Sequence, residues 1–69
     1  MKNDRGATLD ELQRAILWNL AQGMTGSQVA RINAVSEATM RRALRKARQL
    51  LGAVNTINAI YLAAKRGLI

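Results

Sequence analysis

"TGSQVARINAVSEATMRRALRKARQLLG", residues 25–52, contains two helix starts, one tight connection and one stop. Thr25 followed three residues later by Gln28 fits a capping box. A short helix is expected over about 26–33, with Val29, Ala30 and Ile32 as its apolar residues. "NAV" is a tight connection. Ser36 then suits the N-cap of a helix over 37–51, and Gly52 suits its stop. At about 100° per residue, Met40, Ala43, Leu44, Ala47 and Leu51 gather on one side of that helix. Arg41, Arg45 and Arg48 line the other, flanked by Arg42, Lys46 and Gln49. A solvated face normally mixes charge signs to form i,i+4 pairs. Here five bases fall within residues 41–48 without one acid, which points to something negative opposite them.

Outward from this pair, the pattern stays helical. Towards the N-terminus, "TLDE" places Thr8 as a cap with Glu11 three residues on, and Asp10 also suits a helix start. Leu9, Leu12, Ile16 and Leu20 follow helical spacing, giving a first helix over about 9–22 that stops at Gly23. Residues 1–8 are polar and expected to form a flexible tail. Towards the C-terminus, Asn55 caps a fourth helix over about 56–66, with Gly67 as its stop. The expected fold is all-α, four helices and no strand, in one domain over 9–69.

Composition bounds the function. A chain of 69 residues makes at most one domain with a small core. With no cysteine there is no disulfide staple and no thiolate chemistry, which fits a reducing cytoplasm. No apolar run reaches the roughly 18–20 residues of a membrane span, and "MKNDRGATLDE" lacks the apolar core of a signal peptide. Histidine is also absent, and the acids are Asp4, Asp10, Glu11 and Glu37 alone. No metal-ligand spacing or phosphate-binding glycine loop exists. An enzyme is not expected, nor a cofactor or a small-molecule ligand. The net charge of +7 lies wholly in residues 38–69, which hold seven bases and no acid. Such a one-sided field suits a polyanion, nucleic acid first.

A short helix, a tight turn and a second helix with a basic outer face form the helix-turn-helix arrangement, whose second helix lies in the major groove. Arg41, Arg42 and Arg45 are the candidates for base contact, because the guanidinium fork can bond guanine O6 and N7 together. Lys46 and Arg48 lie further along and should meet phosphates. The Ser36 or Thr39 hydroxyl can approach a phosphate at the leading end. Glu37 is the odd member: it can favour the helix N-terminus, accept from a cytosine amine, or repel misplaced phosphate.

Residues 9–69 resemble the LuxR/GerE-type DNA-binding domain, without a gap. Gly23 falls on the family's glycine, Thr25 on its serine cap and Val29-Ala30 on its Ile-Ala pair. Ser36 and Thr39-Met40 fall on the S-x-x-T-V motif, Leu51-Gly52-Ala53 on L-G-V, and Gly67-Leu68-Ile69 on the common ending. The resemblance places Arg41, Arg42 and Arg45 where family members touch bases. It places Thr39, the stretch Thr25, Ser27, Gln28, and Asn55 near backbone-contacting positions. Departures are Ala43 for a common histidine, Ala47 for isoleucine, Leu50 for lysine and Gln13 for glutamate. Asn33 stands where leucine is preferred, and Ile32 could supply that contact after a small rotation. The stretch around residues 35–51 also resembles the promoter-reading end of a sigma factor; the fourth helix favours the GerE type.

That fourth helix is apolar nearly all round. Ala59 and Ala63 can pack on the core, leaving Ile57, Ile60, Tyr61 and Ala64 in need of cover. A second copy about a two-fold axis is the simplest cover, and GerE-like domains use this helix in the same way. The alternatives are a deeper seat in its own core or a different protein. Trp18, at the edge of the first helix's apolar stripe, is either a half-buried packing residue or an exposed contact for a partner.

The reading that follows is a stand-alone bacterial transcription regulator, cytoplasmic, binding double-stranded DNA at an inverted repeat as a homodimer. RNA polymerase or another regulator is a further expected partner. The rival is a protein-interaction module that pairs with another helix-turn-helix regulator through the fourth helix.

Overall fold

The computed structural model describes residues 9–69, so the expected tail over 1–8 and the proposed Thr8 cap lie outside the described residues. The described chain is all-helical: α1 (Glu11–Ala21), α2 (Gly26–Ile32), α3 (Glu37–Leu51) and α4 (Thr56–Lys65). Each begins at a side-chain cap. Asp10 caps α1 in a reciprocal box: the Gln13 N–H donates to Asp10 Oδ1 (2.7 Å) and the Asp10 N–H to Gln13 Oε1 (2.8 Å). The helix therefore starts two residues later than the Thr8 reading placed it. Both T-x-x-E and D-x-x-Q satisfy the capping pattern. The later one agrees with Leu9 and Gln13 both being buried. Thr25 and Gln28 form the second box, Ser36 caps α3 through the Thr39 N–H, and Asn55 caps α4 through the Asn58 N–H.

The four helices also end alike. The first N–H beyond the helix cap or at it bonds back three residues, and the next N–H bonds back five: Gly23 and Met24 after α1, Ala34 and Val35 after α2, Gly52 and Ala53 after α3, Gly67 and Leu68 after α4. This closure needs a left-handed residue at its first position. Three of the four are glycine, with φ of 93°, 71° and 71°; the fourth is Ala34, with φ of 57°. A Cβ in that conformation costs about 1–2 kcal/mol, against about 0.5–1 kcal/mol of unfolded-state freedom that glycine adds. Ala34→Gly is therefore expected to raise stability by about 0.5–1 kcal/mol. Thermal unfolding followed by circular dichroism checks this; an unchanged or lower midpoint would mean that Ala34 carries no strain.

The helices enclose two apolar clusters. One joins α1, α2 and α3 through Ile16, Val29, Ala30 and Met40. The other joins α1, α3 and α4 through Leu17, Ala47, Leu51, Ala59 and Ala63, with Leu9 beneath them. Leu44 packs against both. α1 and α3 touch every other helix, whereas α2 and α4 do not pack on each other. Ile16, Leu17 and Val29 are the largest fully buried side chains, each contributing about 1.5–3 kcal/mol. Where α3 and α4 meet, Ala47, Ala59 and Ala63 are wholly buried. Small side chains there let the helices approach closely but bury little area themselves. Ile60, Leu62, Leu68 and Ile69 supply the rest from the cluster's edge. Among the described residues, no helix is long and apolar enough to cross a membrane.

Candidate nucleic-acid interface

α2 and α3 are joined by the four residues 33–36. The turn is held from α1: Asn33 Nδ2 donates to Asn19 Oδ1 (2.9 Å) and to the Val29 carbonyl (2.8 Å). Ile32 does not turn in to replace the apolar residue expected here; it is exposed. A polar link between α1 and the turn takes the place of that contact, and Asn33 satisfies two acceptors that leucine could not.

α3 is divided as its periodicity predicts. Met40, Ala47 and Leu51 are buried, and Ala43 and Leu44 are partly so. Arg41, Arg42, Arg45 and Lys46 are exposed, and Arg48 is partly buried at the edge of the basic stripe. The spacings Arg41–Arg45, Arg42–Arg45, Arg42–Lys46 and Arg45–Arg48 are all i,i+3 or i,i+4. Each like-charge pair at such spacing costs about 0.2–0.5 kcal/mol in an isolated helix. A polyanion against this face would remove that repulsion.

The bases differ in what already holds them. Arg41 lies 3.7 Å from Glu37, a pair that reading residues 41–48 alone had missed. Arg42 Nη2 donates to Thr39 Oγ1 (3.2 Å), which also accepts from the Ser36 hydroxyl (3.0 Å). Ser36, Thr39 and Arg42 thus form one chain along the leading end of α3. Among the described residues, none accepts a hydrogen bond from Arg45 or Lys46. The expected phosphate-contacting hydroxyls of Ser36 and Thr39 are therefore engaged internally. Thr25 and Gln28 are engaged in the α2 cap, and Asn55 Oδ1 in the α4 cap (2.8 Å). Ser27 is exposed on the first turn of α2.

A second feature is apolar. Val54, Ile57 and Tyr61 are 81%, 79% and 57% exposed, and Ala64 beyond them is exposed too. Their spacing of three, four and three residues sets them along one stripe. Ile60, expected with them, is partly buried against the α1–α3–α4 cluster and so has less free surface. Val54, before the α4 cap, was missed; its spacing from Ile57 was the available signal. Lys65 Nζ lies 5.7 Å from the centre of the Tyr61 ring, a cation–π contact. Trp18, 54% exposed, lines a shallow hollow with Arg14, Ala15 and Leu68 on the outer side of α1.

A scan against protein-family models matches no family, and a search of curated proteins finds no similar sequence.

Proposed function

We propose that this chain is a small sequence-specific DNA-binding transcription regulator that grips an inverted repeat as a homodimer, with α3 in the major groove. One observation carries the reading: α3 follows a short helix and a four-residue turn and sinks its apolar side in the core, while presenting Arg41, Arg42, Arg45 and Lys46 outward. Base-edge recognition needs donors on a rigid helix, and phosphate contact needs unneutralised positive charge. The resemblance to the LuxR/GerE type supports the same assignment of the three arginines. Val54, Ile57, Tyr61 and Ala64 support the dimer, since a two-fold axis through this stripe covers on each copy what the other exposes. Such a dimer sets two recognition helices about one DNA turn apart. A cytoplasmic site of action, and contact with RNA polymerase or another regulator, belong to the same proposal.

The exposed apolar stripe also favours a second reading, a module that pairs with a different helix-turn-helix regulator through α4. Such a module does not need Arg41 or Arg45. Selection from a random duplex pool at near-physiological salt decides between them. An enriched inverted repeat is expected. A pool retained without enrichment, and released steeply as salt rises, would reduce the basic face to a backbone grip.

A further inference from the structure

Glu37 is the only acid between residues 12 and 69, and it sits on the first turn of the most basic helix. Its side chain is 55% exposed and faces Arg41 at 3.7 Å. Capping does not require it, because Ser36 already accepts from the Thr39 N–H at the start of α3. Next to DNA phosphates, a carboxylate opposes binding. Its presence on this face therefore calls for a compensating contact.

The major-groove edge of a C·G pair offers one. Cytosine N4 is a donor for a carboxylate, and guanine O6 and N7 are acceptors for a guanidinium. The exposed pair Glu37–Arg41 carries the matching acceptor and donor one helical turn apart. Thymine O4 and guanine O6 repel a carboxylate at the same place, and adenine sets its N7 lone pair beside the N6 amine. We infer that Glu37 is a specificity-determining residue that selects a cytosine in each half-site. The inference rests on the proposed DNA-binding function. Glu37 gives up general affinity for discrimination: against backbone alone it repels, and only a cytosine amine satisfies it once Arg41 has swung to a neighbouring base.

The test compares the wild-type chain with Glu37→Gln. Both are put through random-pool selection, and both are titrated on the selected duplex and on a scrambled duplex. The wild type is expected to select a cytosine at one position per half-site. In Glu37→Gln that preference is expected to move to adenine, whose N6 and N7 glutamine can bond together. Affinity for scrambled DNA should rise roughly fivefold at about 0.15 M salt, as one more positive charge becomes available to phosphate. A residue serving only the helix terminus would instead lower the unfolding midpoint and leave the motif unchanged. An identical motif with an equal specific-to-scrambled ratio in the two proteins overturns the role of Glu37 alone. A wild type that enriches no motif overturns the DNA-reading function and this inference with it.

Discussion

Glu at both Ile57 and Tyr61 should leave a folded monomer that binds its operator about 10²–10⁴-fold more weakly than the wild type. The two side chains are mostly in solvent in the single chain, so exchanging them removes little from the core, which Ala59 and Ala63 join from the other side of α4. Across a two-fold axis the same exchange buries four carboxylates without partners, which no small interface tolerates. Losing the dimer turns a linked second contact back into an independent one. The salt dependence should also fall by about half, since a monomer neutralises half the phosphates. Sedimentation equilibrium and operator titration together check this. An intact dimer in the double variant would move the interface away from this stripe. Ile60 is the wrong site for such a test: it packs partly against its own core, and a charge there confounds unfolding with dissociation.

Arg45→Ala should cost about 1–3 kcal/mol at each half-site, roughly 2–6 kcal/mol over a symmetric operator, and relax preference at one base position per half. Arg45 is expected to outweigh Arg41 and Arg42. Arg41 must first give up Glu37 at 3.7 Å, and Arg42 must give up Thr39 Oγ1, so the net gain of each on DNA is smaller. Lys46→Ala should weaken all sequences alike and lower the salt slope by about 1. The measurement is affinity for the selected operator and for single-base variants of it. An Arg45→Ala protein with undiminished preference at every position would assign Arg45 to the phosphates.

Much of this was legible before any coordinates. The Thr25, Ser36 and Asn55 caps, the Gly23, Gly52 and Gly67 stops and the two-sided α3 all follow from rules acting over a few residues. The misreadings occur where two local solutions competed or where distance in sequence intervened. Thr8 and Asp10 offered equivalent caps for α1; the observed choice goes with burial of Leu9 and Gln13. Ile32 was expected inward because its neighbour Asn33 is polar, yet Asn33 finds Asn19, fourteen residues earlier, and Ile32 remains outside.

By itself, then, the sequence determined four helices, their ends and the separation of charge from core on α3, because a capping bond, a left-handed residue and a 3.6-residue period are each satisfied within one or two turns. Tertiary structure alone decided which apolar residues stay in solvent. Trp18, Val54, Ile57 and Tyr61 are exposed, whereas Ala59, Ala63 and much of Ile60 are covered. On a helix apolar nearly all round, periodicity singles out no face. The choice falls to helices far away in the chain, here α1 and α3, which approach α4 where alanines leave room.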